Sequence, residues 1–361
     1  MNSVFVLGSV NIDEVYKVPR IVRPGETITS SSREEIAGGK GANCCVACAR
    51  AAANTIFYAN IGDDAAWIKD LITSSGANTE NMLQLEGKKT GRAIIQVESK
   101  GENSIFLFPG TNYLHNHNEN LQKLKQQLAV GDYIVLQNEI NSVTEFISLA
   151  KSNLAAVIVW NPAPVPSEID QSFFVAMKSV DILIVNETEL ISLSNLSAAS
   201  DSVEKELANL IIRLCEANDY NGLLAQISSL FDIRLIIVTK GKYGVSAFSS
   251  LFQTQEQSLT TIDVGIAPIE PSQVLDTTAA GDTWIGYFIA ELAKSNIYNN
   301  FFAPENDSSK DISSAQNILE KAMKKACYAS GISVTRRGAM PSIPNNSEVE
   351  TFLSTNTLPL N

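Results

Sequence analysis

The sequence predicts an α/β fold: a doubly wound, mostly parallel sheet with helices on both faces. Three observations lead there. Short, nearly continuous apolar runs recur along the chain, helix-patterned segments fill the intervals between them, and 45% of the 361 residues are hydrophobic, enough for a large core. A strand covered by helices on both faces is apolar at successive positions, and strand–helix alternation is the pattern of a parallel sheet.

The strands expected in order are "VFVLG", "TIFYAN", "DYIVLQ", "AAVIVWN", "ILIVN" and "RLIIVT". Between and after them, helical spacing is expected over 42–53, 143–151, 203–217, 282–293 and 319–334. Two regions break the alternation. "RAIIQV" and "SIFLFPG", joined by the polar "ESKGEN", read as an antiparallel hairpin. The chain from "VYKVPRIVRPGETITSSSREEIAGG" reads as extended and turn-rich. Together, segments of about 14–37 and 91–110 form a small β-sheet lid inserted in one domain spanning 1–361. "SNLSAASD" and "NNFFAPENDSSKD" are polar and read as surface insertions.

A net charge of -12 argues against a nucleic-acid surface, because phosphate backbones need clustered Lys and Arg. No apolar run approaches the roughly 20 residues that cross a bilayer, and the N-terminus lacks a secretory pattern. The five cysteines are an odd number, with Cys44, Cys45 and Cys48 in one segment, so they make no disulfide framework. A cytoplasmic protein is expected. Cys45 and Cys48 have a redox or metal spacing, but in the alanine-rich "GANCCVACARAAANT" they read as small buried residues. His115 and His117, in "TNYLHNHNEN", read as solvated loop residues.

The segment "DTTAAGDTWIGYF" carries the chemistry. Trp284, Ile285, Phe288, Ile289 and Leu292 form one helical stripe, so a helix starts at or just before Asp282. Ahead of it, Ala279, Ala280 and Gly281 leave the unpaired N–H groups of the first turn open to an anion. An Asp at that junction also suits an N-cap. Beside an anion cradle, however, a carboxylate can take a proton from a hydroxyl while the cradle holds the phosphoryl group under attack.

"DTTAAGDT", together with "GGKGAN" (38–43) and "VTRRGAMPSIP" (334–344), resembles the signatures of the ribokinase-like sugar kinases, in the family's order and along nearly the whole chain. The resemblance implies the ribokinase-like fold and ATP-dependent phosphorylation of D-ribose at its 5-hydroxyl. It implies Asp282 as catalytic base, with Ala279, Ala280 and Gly281 as the anion hole. Asn11, Asp13, Gly39, Lys40, Gly41, Asn43 and Glu139, with Asp282, would hold the sugar. "VTKGKYG" looks like the nucleotide segment, with Thr239, Lys240, Gly241 and Gly244 near the phosphates and Asn186, Gly281 and Asp282 beside them. Asn186 and Glu189 of "VNETE" would organise magnesium through water. Asp276, Thr278, Ser333, Arg336, Gly338 and Ser342 would hold potassium, and two chains would pair as a homodimer through the lid.

The chain departs from the family pattern at Cys44, at Trp284, and in "KKACYASG", which lacks the Asn that relatives often place near adenine. Other readings are a kinase of deoxyribose, fructose, a keto-deoxy sugar acid or a nucleoside, or a silent sugar sensor on the same fold. A nucleotide-binding oxidoreductase is disfavoured, since no Gly-x-Gly-x-x-Gly follows the first strand.

Overall fold

The structure, a computed structural model, describes residues 1–98, 102–200, 202–252, 261–295, 297–302 and 311–356. The first half runs β1 (Val4–Leu7), β2 (Asn11–Val18), β3 (Ser32–Gly38), α1 (Lys40–Arg50), β4 (Thr55–Ile61), α2 (Ala66–Ser74), β5 (Met82–Gln84), β6 (Gly91–Glu98), β7 (Asn103–Phe108), α3 (His117–Gln127), β8 (Tyr133–Gln137), α4 (Val143–Asn153) and β9 (Val157–Asn161). The second runs α5 (Gln171–Met177), β10 (Ile182–Asn186), α6 (Glu187–Ala198), α7 (Lys205–Glu216), α8 (Tyr220–Phe231), β11 (Leu235–Thr239), β12 (Val245–Phe248), β13 (Thr261–Val264), α9 (Ala280–Lys294), α10 (Ile312–Val334) and α11 (Asn346–Asn356).

Nine strands form the large sheet, in the order β13-β12-β11-β10-β9-β8-β1-β4-β5. From β11 to β5 neighbouring strands are parallel, while β12 and β13 are antiparallel additions at one edge. Each central strand divides its side chains between two cores. Val4 and Val6 of β1 enter the core under α1, α9 and α10; Phe5 and Leu7 enter the one under α4 and α5. This double burial is why the strands are apolar at every position. Strand order reverses at β1, which lies between β4 and β8, and a crevice at the carboxyl ends of such strands is where open sheets bind ligands.

The second sheet has the order β3-β2-β6-β7. It covers the segments expected at 14–37 and 91–110, with β2 starting earlier, at Asn11, and the turn at 99–101 outside the described residues. β2 pairs antiparallel with β3 and parallel with β6, and β6 and β7 form the expected hairpin. At its outer edge Ile105, Phe106, Leu107 and Phe108 are all exposed.

Several local expectations need correction. His115 and His117 are buried, not solvated: their rings stack, His117 Nε2 bonds the Asn141 carbonyl, and His117 opens α3 against Phe146. "SNLSAASD" ends α6 and buries Ser194, Ser197 and Ala198, because small residues let that helix lie close to its neighbours. In "NNFFAPENDSSKD", Phe301 and Phe302 are core residues, and 303–310 lie outside the described residues. α9 begins at Ala280 and has no single apolar stripe. Tyr287, Ala290 and Ala293 are buried along with the expected residues, since α9 is packed between α1 and α10.

The α1–α9 crossing is tight. A Cβ at Gly286 would lie 2.4 Å from Ala47 Cβ and 2.7 Å from the Cys44 carbonyl oxygen. Cys44, Cys45 and Cys48 are free and buried here as small packing residues, and Cys48 Sγ donates to the Gly286 carbonyl at 3.4 Å.

Candidate active site

The carboxyl end of β1 leads into the turn Gly8–Ser9, and the first turn of α1 presses directly on it. Gly39 has φ 95°, open to glycine, and a Cβ on Gly41 would lie 2.4 Å from Ser9 N. The glycines of "GGKGAN" are therefore needed for close approach. This brings α1 against Glu139, which follows β8. Glu139 Oε2 accepts from Ser9 Oγ at 2.6 Å, from Lys40 N at 3.0 Å and from Asn11 Nδ2 at 3.4 Å. Ser9 Oγ also accepts from Gly41 N at 3.2 Å, so one hydroxyl ties the acid to the helix.

Asp13, in β2, lies over Gly38, where a Cβ would come within 2.1 Å of its Oδ2. Burial, then the nearby charges of Glu139 and Asp282, push its carboxyl up to about 7. The Lys40 ammonium is held above its ordinary range by Asp282, against the opposing effect of burial, with Glu139 and Glu189 adding to the same field. Asn43 Nδ2 donates to Asp282 Oδ2 at 2.9 Å; its Oδ1 is buried with no partner. Asp13, Lys40, Asn43, Glu139 and Asp282 thus lie close together: Glu139 and Asp282 act on both the Asp13 carboxyl and the Lys40 ammonium, and Asn43 bonds Asp282.

Asp282 belongs to the first turn of α9. Ala279 takes a left-handed conformation (φ 59°), which is uncommon for a residue with a side chain, and no side chain caps the helix. The first helical bond is Thr283 N to the Ala279 carbonyl, which leaves the N–H groups of Gly281 and Asp282 without a helical acceptor. Asp282 is therefore not the N-cap. Its carboxylate turns toward α1, while Ala280 and Gly281 border a cavity of about 460 Å³.

That cavity runs from Thr239, Gly241 and Gly244 to Trp284 and Cys327, and its walls are mostly apolar. Gly244 has φ 90° and touches the strand opposite, where a Cβ would lie 2.2 Å from the Val264 carbonyl oxygen. Trp284 donates from Nε1 to Cys327 Sγ at 3.4 Å and stacks on Phe288. Lys240 differs from its neighbours. Its Nζ pairs with Asp263 Oδ1 at 3.1 Å, and it lines a separate cavity with Tyr220 and Ser246, so its side chain does not face this one.

Asn186 ends β10 beside Thr239 of β11. Asn186 and Glu189 form a reciprocal capping box at the start of α6: Glu189 N donates to Asn186 Oδ1 at 2.8 Å and Asn186 N donates to Glu189 Oε2 at 2.9 Å. Asn186 remains exposed and Glu189 is half-buried. Asp276 joins two of the loops named for potassium. Its Oδ1 accepts from Thr278 N and its Oδ2 from Gly338 N, each at 2.9 Å. Ser333 lies in the last turn of α10 and Arg336 just beyond it, where Arg336 N donates to the Ser333 carbonyl at 3.0 Å. The Arg336 guanidinium pairs with Glu348, and Ser342 Oγ donates to the Ala339 carbonyl at 2.7 Å. Among the described residues no group of three or more His, Cys, Asp or Glu side chains has the arrangement of a metal site.

Two residues at this site escaped the sequence reading. Ser9 lies within "GSVNIDE", beside Asn11 and Asp13, and a lone serine there carries no signal of its own. Asn112, in "PGTNYL", is 1% exposed and bonds both Val10 N and Asn11 Oδ1. Only its place in "PGTNYL", beside a Pro-Gly turn, could have drawn attention to it.

Ribokinase from Staphylococcus aureus (strain COL) is 30% identical to this chain over 358 residues, 96% of the chain and 98% of the relative. Deoxyribokinase from Salmonella typhi is 28% identical over 357 residues, 97% and 98% of the two chains. The crystal structure of ribokinase from Cryptococcus neoformans var. grubii serotype A in complex with ADP superposes with a TM-score of 0.70 at 30% identity, covering 97% of this chain and 99% of that one. The sequence also matches the profile described as pfkB family carbohydrate kinase over residues 1–346, and the chain accordingly belongs to that family.

Proposed function

We propose that the protein transfers the γ-phosphoryl group of ATP to the 5-hydroxyl of D-ribose, giving ribose 5-phosphate and ADP. The observation that carries this reading is the pairing of Asn43 with Asp282 in the first turn of α9, whose free N–H groups border the large cavity.

ATP occupies the cavity with its base toward Trp284 and Cys327 and its phosphates toward Gly241, Gly244 and the start of α9. Asn11, Asp13, Lys40, Asn43 and Glu139 hold the sugar with its 5-hydroxyl toward Asp282. Asp282 takes the hydroxyl proton as the oxygen attacks phosphorus, and the amides of Gly281 and Asp282 stabilise charge on the transferring group, the Ala280 amide being bonded to the Thr277 carbonyl. The small sheet acts as a lid that excludes water, which competes for the phosphoryl group.

Asn186, exposed at the strand end beside Thr239, and the half-buried Glu189 bring side-chain oxygens together there, which would suit a magnesium ion held through water. When bound, magnesium neutralises charge on the phosphates. Asp276 and the carbonyls around Ser333, Arg336, Gly338 and Ser342, with Thr278, form an all-oxygen set suited to a hard cation, potassium in this reading. Its part is to order the loop before α9. The exposed Ile105, Phe106, Leu107 and Phe108 on β7 support a homodimer through the lid. Five free cysteines accord with a cytoplasmic setting, and among the described residues no helix is long and apolar enough to cross a membrane.

The Salmonella typhi deoxyribokinase relative favours one second reading, phosphorylation of 2-deoxyribose. A coupled ADP-release assay over a panel of sugars, with and without potassium, tests both. Higher kcat/KM for ribose supports the first reading; turnover of 2-deoxyribose alone replaces it with the second, and ribose binding without turnover makes the protein a sensor.

A further inference from the structure

A backbone N–H is a donor in every state, so it sets the orientation of an amide that accepts from it. Val10 N donates to Asn112 Oδ1 at 2.9 Å, which turns the Asn112 NH₂ toward Asn11. Asn112 Nδ2 then donates to Asn11 Oδ1 at 2.8 Å, and the Asn11 NH₂ is left facing Glu139 Oε2 at 3.4 Å. Asn112 is itself pinned at both backbone groups: its N donates to the Pro109 carbonyl and its carbonyl accepts from Asn141 N. The bond between the two amides crosses β6 at Gly91, where a Cβ would lie 2.1 Å from Asn112 Nδ2 and 2.4 Å from Asn11 Oδ1.

We propose that Asn112 is a positioning residue for phosphoryl transfer, fixing the Asn11 amide with its NH₂ toward the sugar. This rests on the reading of Asn11 as a sugar ligand. Asp13, Glu139 and Asp282 accept hydrogen bonds when ionised, so a sugar oxygen that must itself accept needs a donor, which the Lys40 ammonium and the Asn11 amide can be. Asn11 supplies it only in this orientation. Turned over, its carbonyl oxygen would face the Glu139 carboxylate, acceptor against acceptor.

Asn112→Asp keeps the shape and the bond from Val10 N but replaces the donor to Asn11 with an acceptor. The KM for ribose is expected to rise about ten- to a hundredfold near pH 8, the range for leaving one buried polar group unpaired. The KM for ATP should stay within about twofold of wild type. As pH falls toward about 5, the introduced carboxyl takes up a proton and can donate again, so the variant-to-wild-type ratio of ribose KM should fall. Taking the ratio to wild type removes the pH dependence that both proteins share. Gly91→Ala displaces the same bond from β6, is expected to raise the ribose KM selectively, and carries the test if Asn112→Asp does not fold. An unchanged ribose KM in either folded variant, a ratio that ignores pH, or an equal rise in the KM for ATP would overturn the proposal. Asn11→Ala separates the two levels. An unchanged ribose KM there removes Asn11 from the sugar site, whereas a raised one beside an unaffected Asn112→Asp removes only the positioning role.

Discussion

Asn43 in α1 donates to Asp282 in α9 at 2.9 Å, across 239 positions of sequence. One hydrogen bond thus joins the glycine-rich turn to the turn of small residues before α9. It turns the Asp282 carboxylate toward α1, while Ala280 and Gly281 beside it border the cavity.

If Asp282 is the base, Asp282→Asn should lower kcat by about 10²- to 10⁴-fold, the usual contribution of a positioned base. The amide is isosteric and can still accept from Asn43, so calorimetric binding of ribose and ATP should persist. Turnover near the wild-type rate would remove Asp282 from its role.

Asp13 makes stability depend on pH. Its carboxyl is raised to about 7, above the ordinary 3.8, so the folded chain holds a proton that the unfolded chain releases. Stability from this group is full below about pH 4 and declines as pH rises through about 7. Asp13→Asn should therefore raise Tm relative to wild type, by a margin that grows over this window and levels off above it. A margin independent of pH would show that Asp13 titrates normally.

Burial pushes the Asp276 carboxyl up, but hydrogen bonds from Thr278 and Gly338 and the Arg337 charge outweigh it, so the group lies below its ordinary range. It is thus a charged tie between two loops. Potassium in place of sodium should raise wild-type activity by about 5- to 150-fold, the range for coupled binding events, and Asp276→Ala should abolish the difference. Equal wild-type rates in the two salts would defeat the monovalent site.

Replacing both Phe106 and Phe108 with Glu on the edge strand β7 should yield monomers by analytical ultracentrifugation, because charge on an apolar edge opposes pairing. An unchanged sedimentation coefficient in a dimeric wild type would place the interface elsewhere.

The fold was legible where physics acts locally. The apolar runs of β1 and β11 follow from burial on both faces, and the Asn-x-x-Glu spacing is itself a capping box. The glycine-rich turn and the turn before α9 were legible because few residue types permit such close backbone approach. Asn112 was not, since its partners Val10, just before β2, and Asn11, at its start, arrive only after the sheets assemble. Nor was the burial of His115 and His117, two polar residues that resemble a loop until α4 supplies Phe146 and the turn before it supplies Asn141. The Lys240 side chain was misplaced because sequence gives no sign that β13 brings Asp263 beside it.

The missing side chain at Gly286 has a reach beyond packing. In the proposed reaction α1 holds the acceptor and α9 meets the donor, so the thickness of their crossing would be a spacer that sets how far the attacking oxygen stands from phosphorus. Even a methyl group there, only one turn beyond Asp282, would wedge the helices apart. Such a change should register as slower chemistry, even in protein that remains folded and retains both substrates.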